Sequence, residues 1–219
     1  MPILEVIALD AKDAEAAQAG GADRLELVAD MASDGLTPSV STFKEVEKAV
    51  DIPIRVMLRD AKGFAPGNLK HLRRQAWELR EAGATEFVLG FLDAGGEVDE
   101  GVTLNLLAEL EGCAWTFHRA LDNSNDVFRS WGVVKTLGCD TVLAAGSAKG
   151  VEDGIENLKE LVTQGPPALL VGGGLQQRHV PELLAAGVKG FHVGSAVRPS
   201  GWDSPVDSAS VREWVNRLV

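Results

Sequence analysis

Segments that read as strands and segments that read as helices alternate eight times along this chain of 219 residues, with little sequence left between them. Ile3 to Leu9 reads as a strand, and Asp10 opens a helical stretch, Ala11 to Ala19, closed by Gly20-Gly21. Arg24 to Val28 is followed by a loop to Pro38 and a helix from Thr42 to Ala49, where Phe43, Val46 and Ala49 fall on one face. Ile54 to Leu58 precedes the longest loop, Arg59 to Gly67, and a charged helix from Leu69 to Ala82. The later pairs are Glu86–Leu89 with Val102–Leu110, Trp115 to Phe117 with Asp126–Leu137, and Thr141–Ala144 with Ile155–Val162. Ala168–Val171 with Val180–Ala186 and Gly190–Val193 with Ser208–Leu218 complete the series. Alternation of this kind predicts an α/β chain whose strands are parallel, because each helix carries the chain back to start the next strand.

Eight such units predict one (β/α)8 barrel domain over residues 1–219, the TIM barrel architecture, with short loops because that fold usually takes about 250 residues. Small hinges ahead of strands, Gly20-Gly21, Gly83, Gly138 and Gly187, fit helix ends that turn back to the barrel floor. The competing architecture is a doubly wound open sheet. Against it, no Gly-x-Gly-x-x-Gly follows the first strand, and the one dense glycine cluster, Gly172-Gly173-Gly174, follows the seventh.

Composition narrows the partners. A net charge of −11 excludes a broad basic surface for nucleic acid or an anionic membrane, so an anionic ligand must meet a local positive pocket. The first residues lack the basic region and apolar run of a signal peptide, and no apolar stretch approaches bilayer length, so a cytoplasmic location is expected. Cys113 and Cys139 are far apart and form no paired metal motif, which reads as two reduced, inert thiols. The chain has no tyrosine, so proton transfer falls to histidine, carboxylates or lysine.

The stretch Trp115-Thr116-Phe117-His118-Arg119-Ala120-Leu121-Asp122 starts as an apolar strand and ends in polar groups at the carboxyl end, where barrels of this kind carry their chemistry. Alternation along the strands groups Glu5 with Ile7, Arg24 and Glu26 with Val28, Arg55 and Met57 with Arg59, Thr116 with His118, and His192 with Gly194. If these faces point inward, the arginines exceed the glutamates and the interior is a cationic pocket suited to a small anion. The competing expectation is that Glu5, Arg24 and Glu26 lie low in the barrel and satisfy one another, as buried charges usually do. Arg119 is expected to point outward and pair with Asp122.

Gly173, Gly174, Gly194 and Ser195 follow strands seven and eight, the loops where many barrels bind phosphate through bare backbone amides, and they are the expected anion cradle. Glycine is also selected by tight turns. Asp93 offers a partner for His118 or is a turn residue beside Gly95-Gly96. Trp202 reads as an exposed aromatic and a candidate subunit contact.

Several of these blocks, Gly21-Ala22-Asp23-Arg24-Leu25-Glu26-Leu27, Gly35-Leu36-Thr37-Pro38-Ser39, Thr116-Phe117-His118-Arg119-Ala120 and Gly172-Gly173-Gly174 among them, together resemble the CutC family from the first strand to the eighth. The resemblance implies a cytoplasmic (β/α)8 barrel, often a homo-oligomer, described as a copper-homeostasis or copper-binding protein. It also implies a set of suspected site residues, here Glu5, Arg24, Glu26, Arg59, His118 and Asp122. The chain departs from the family where many members carry cysteine two residues after each of the first two strand glutamates, for it has Ile7 and Val28 there. Copper(I) prefers sulfur ligands, and the soft or imidazole groups left near the mouth are Met57, His118 and His192. The family's Arg-Pro-Arg after strand three is reduced to Arg59-Asp60-Ala61, with Lys62 as a substitute charge.

Two functional expectations follow. One is a copper-homeostasis protein, with copper as the only cofactor implied. The other is an enzyme on a small anionic, phosphorylated metabolite, of isomerase, aldolase or hydrolase type, with His118 and Glu5 or Glu26 as acid and base. A barrel that binds without turnover is the third, plainer possibility.

Overall fold

A computed structural model describes all 219 residues. Four strands open the barrel: β1 (Ile3–Ala8), β2 (Arg24–Leu27), β3 (Ile54–Met57) and β4 (Glu86–Leu89). Four more close it: β5 (Ala114–Phe117), β6 (Thr141–Ala144), β7 (Ala168–Val171) and β8 (Gly190–Val193). All neighbours pair in parallel, and β8 returns to β1 to shut the cylinder. The helices that follow them in turn are α1 (Ala11–Gly20), α2 (Val40–Ala49), α3 (Leu69–Glu81) and α4 (Glu100–Leu107), then α5 (Val127–Thr136), α6 (Val151–Leu161), α7 (Val180–Ala185) and α8 (Ser208–Arg217). The eightfold alternation is therefore a TIM barrel, as the sequence predicts.

Local chemistry fixes where the helices start. Asp10, Ser39, Asn68, Asp99, Asp126 and Asp207 each accept a hydrogen bond from an amide in the first turn of the helix they open. At the other end Gly21 takes φ +99° and donates its N–H back to α1, so the chain reverses without a Cβ in the way. Capping won over hydrophobic period in α4, which begins at Glu100 and not Val102 because Asp99 caps it. α6 begins at Val151, four residues ahead of the apolar face at Ile155, with no side-chain cap on Gly150. Short 3-10 turns at Met31–Ser33, Leu121–Asn123, Ser195–Val197 and Gly201–Asp203 occupy stretches that read as plain loop.

The strand pleat sorts side chains into two cores. Leu4, Val6, Leu25, Leu27, Phe87, Phe117 and Phe191 turn outward and join a 49-residue apolar layer under the helices. Inside the barrel the apolar filling is Ile7, Val28, Met57 and Val88, with Leu143 toward the mouth and Leu170 toward the floor, and the rest of the interior is polar or charged. Register decides which charges meet: Glu5 lies beside Arg24 on one neighbouring strand and beside His192 on the other, and Glu26 lies beside Arg55. Cys113 and Cys139 sit just ahead of β5 and β6, on the floor side, as expected.

Candidate functional site

At the carboxyl ends of the strands a cavity of about 430 Å³ is lined by Glu26, Arg59, His118, Arg119 and His192 and by the loops after β7 and β8. Its floor is built from the register just described. Glu5 is fully buried; one carboxylate oxygen accepts the Arg24 Nε–H and the other lies 2.8 Å from His192 Nδ1. His192 Nε2 is 3.7 Å from Glu26 Oε2, while Glu26 Oε1 is buried with no hydrogen-bond partner. One ligand atom from each of Glu5, Glu26 and His192 lies within 4.8 Å of the other two.

These surroundings divide the two glutamates. Burial pushes Glu5 up, but the Arg24 charge and the His192 hydrogen bond outweigh it and hold its carboxyl down at about 2. Glu26 accepts no hydrogen bond, and burial, helped by the negative charge of Glu5, outweighs the nearby His192 and pushes it up to about 7. His192 loses basicity to burial but regains more from Glu26 and Glu5, and its pKa rises. Glu26 and His192, 3.7 Å apart, titrate as a coupled pair in which burial raises the carboxyl and the two carboxylates raise the imidazole.

His118 follows β5, with its ring edge-on to Phe64 and Phe117 at centroid distances of 5.7 and 6.2 Å. Its Nδ1 accepts the Ala120 N–H at 3.2 Å, which leaves the neutral ring's proton on Nε2, and Nε2 is buried without a partner. Burial and the nearby Arg59 charge push its pKa down to about 3, so His118 is a neutral donor at physiological pH. Close packing requires this site to have Gly90, since a Cβ there would lie 2.7 Å from His118 Nδ1.

Arg59 reaches the cavity while its donors hold loop carbonyls: Gly63 at 2.7 and 3.0 Å, Ala61 at 3.2 Å and Asp34 at 2.9 Å. Phe64 lies under its guanidinium at 5.2 Å. No carboxylate pairs with it, so its charge acts on the cavity as a field. Asp122 is buried outside the lining of the mouth cavity; it accepts the Ala145 and Gly146 amides and holds Arg119 Nε at 2.9 Å. Its part is to position Arg119 and the loop after β6.

Arg119 corrects the alternation argument. It pairs with Asp122 as expected, yet it lines the mouth instead of facing the helices, because β5 ends at Phe117 and the chain curls into a 3-10 turn. Its guanidinium lies where a side chain at Gly173 would be, 2.5 Å from the position of a Cβ. Gly173 and Gly174 both take positive φ, and the amides of Gly173, Gly174, Ser195 and Ala196 make no hydrogen bond within the chain. Gly194 leaves room for Trp202, whose ring would lie 2.5 Å from a Cβ there.

The structure thus gathers Glu26, Arg59, His118, Gly173, Gly174, Gly194, Ser195 and His192 around one cavity, with Glu5 just beneath. Arg24 instead lines a second cavity at the opposite end of the barrel. Asp93 is exposed and accepts the Gly95 and Glu97 amides at 2.8 and 3.0 Å, so it is the turn residue and not a partner of His118. Met57 packs among apolar side chains, and the metal-type grouping that forms is Glu5, Glu26 and His192, not Met57 with the histidines. Trp202 belongs to the mouth and stacks on Arg198 at 5.0 Å. Sequence reasoning missed Arg198, which is buried against Asp13, because its partner lies 185 residues away.

Fold and site together define a (β/α)8 barrel protein with a polar candidate small-molecule pocket at the end where such barrels carry chemistry. The chain belongs to the CutC family, whose model matches residues 3–197. It is 32% identical over 196 residues to a CutC-named family protein of Klebsiella pneumoniae subsp. pneumoniae, covering 88% of this chain and 79% of that one. It is 31% identical over 206 residues to the copper homeostasis protein cutC homolog of Homo sapiens, covering 91% and 76% respectively. The crystal structure of a CutC protein from Streptococcus agalactiae superposes with a TM-score of 0.81 at 26% identity, over 89% of this chain and 98% of the other. No helix is long and apolar enough to cross a membrane.

Proposed function

We propose that the protein is an acid–base enzyme of the cytoplasm acting on a small phosphorylated metabolite bound in the barrel mouth. Two buried polar atoms without partners, Glu26 Oε1 and His118 Nε2, carry this reading, because both belong to residues that line the same cavity. A buried polar atom left unpaired costs about 1–3 kcal/mol, which a ligand that pairs it returns. The phosphate would rest on the free amides of Gly173, Gly174, Ser195 and Ala196 beside Arg119, and Arg59 would add positive potential. His118, neutral and donating from Nε2, would hydrogen-bond a substrate oxygen and stabilise charge developing there. The proton would then be moved by Glu26, raised to about 7, together with the neighbouring His192, with Glu5 fixing the imidazole. This arrangement suits isomerase, aldol or hydrolytic chemistry.

The name of the human relative connects the family with copper homeostasis. The residues present do not fit copper(I), which takes thiolate and thioether donors. Ile7 and Val28 are apolar, and the Cys139 thiol, at the floor, is pushed up to about 12 by burial and then by Asp140. Met31 and Met57 are the sulfurs at the mouth, packed in an apolar cluster without a thiolate. The Glu5–Glu26–His192 trio offers hard oxygen donors, and Arg24 already occupies one of them. A role in copper homeostasis is, on this chemistry, an indirect one.

Calorimetric titration separates the two readings. Inorganic phosphate should bind saturably, and Arg119→Ala should weaken it. Tight, stoichiometric copper(I) binding that disappears in Met57→Ala or His118→Ala would overturn the enzyme reading.

A further inference from the structure

The end of the barrel opposite the mouth holds a cavity of about 560 Å³, lined by Arg24, Lys189, Pro166, Pro167, Leu169 and Leu170 among others. Arg24 is only 9% exposed, and Glu5 uses just its Nε–H. Its Nη2 is buried with no acceptor at all. A guanidinium has five N–H donors in a fixed plane and Glu5 takes only one of them, so Arg24 keeps donors for a planar or tetrahedral anion. Lys189 is exposed on the same rim, and its ammonium makes no ion pair. The acids at that end are engaged: Asp23 accepts the Leu4 amide at 2.8 Å, and Asp140 holds Arg55 at 2.7 Å and the Trp115 amide at 2.9 Å. In a chain of net charge −11, the unpaired Lys189 ammonium and the donors of Arg24 that Glu5 leaves free, beside prolines and leucines, form a local and specific feature.

We infer that the barrel floor is a second binding site, for a small organic anion with an apolar body, whose charged group is held by Arg24 and Lys189 while its body lies on Pro166, Pro167 and Leu169. The charged group supplies an acceptor for the Arg24 donors that Glu5 leaves free, and the apolar walls select against bare inorganic anions. The site also communicates with the mouth. Arg24 holds Glu5, Glu5 holds His192 Nδ1, and His192 faces Glu26, which in turn feels Arg59. An anion on Arg24 weakens its pull on Glu5, so occupancy at the floor is felt at His192. The inference stands apart from the proposed reaction, and either can fail alone.

The test is a titration of the isotope-labelled protein with benzoate, followed by amide and histidine-ring NMR. Saturable shifts are expected at Ile3, Leu169, Lys189 and Gly190, with Gly173 and Ser195 unmoved and the His192 ring signal moving on the same curve. Lys189→Glu changes an exposed residue and keeps the fold; it should weaken benzoate about tenfold, the size of one charge-assisted contact. Shifts that stay linear in benzoate, shifts centred on Ser195, or undiminished binding in Lys189→Glu would each overturn the inference.

Discussion

Arg55 and Arg24 are both buried guanidiniums facing the interior of one barrel from adjacent strands, yet they are treated in opposite ways. Every nitrogen of Arg55 is used: Nε on Glu86 at 2.9 Å, Nη1 on Thr116 and Nη2 on Asp140 at 2.7 Å. Arg24 has Glu5 on Nε and nothing on Nη2, and the same incompleteness recurs at Glu26 Oε1 and His118 Nε2. A cluster whose donors and acceptors are matched stabilises the fold and offers a ligand nothing. One left unmatched lowers stability and is retained where binding needs it. The interior of this barrel is divided accordingly, with a saturated network around Arg55 and an unsaturated one running from Arg24 through Glu5 and His192 to Glu26.

The largest effect that would break this contrast comes from Arg55→Met. It leaves Glu86 and Asp140 without their counter-charge, and about 3–5 kcal/mol of stability should be lost, read by denaturant unfolding. A loss no greater than that of an exposed ion pair would put Arg55 in the same category as Arg24.

Glu26→Gln should act in the other direction. Because burial raises the folded-state pKa of Glu26 to about 7, its favourable contribution is present below the unfolded value and is lost as pH rises through 7. Removing the charge should therefore raise stability at pH 8 by roughly 1–3 kcal/mol, while abolishing any turnover that needs the carboxylate. A destabilised Glu26→Gln protein at pH 8 would show that the carboxylate is paired after all.

The smallest and most local effect is on titration. His118 is held down to about 3, so its contribution is present above the unfolded value near 6.5 and is lost as pH falls toward 3. Ring NMR should show His118 neutral with its proton on Nε2 at pH 5, while His192 titrates above the ordinary histidine range. His118→Asn should flatten the part of the acid limb that lies between these values.

How much of this could be read from the sequence depends on the range of the interactions. The barrel was legible because each strand and helix declares itself locally, through apolar period, Asp or Ser at the start and glycine at the end. The inward set Glu5, Glu26, His118 and His192 was legible too, since pleating alone assigns faces. What stayed hidden was set by register and closure. That Glu5 sits between Arg24 and His192 depends on β1 meeting both β2 and β8, and His192 lies 187 residues along the chain from Glu5. Arg119 and Asp122 escaped alternation because the strand had ended. The partnering of Arg198 with Asp13, and the seat of Trp202 over Gly194, left no local trace.

The account rests on the mouth keeping its polar groups unpaired in order to receive an anion. The amide and histidine-ring spectrum recorded during titration with inorganic phosphate tests this most directly. Saturable shifts at Gly173, Gly174, Ser195 and the His118 Nε2–H are expected, with the Arg55 network unchanged. A mouth silent to phosphate, with any response confined to exposed residues, would contradict it.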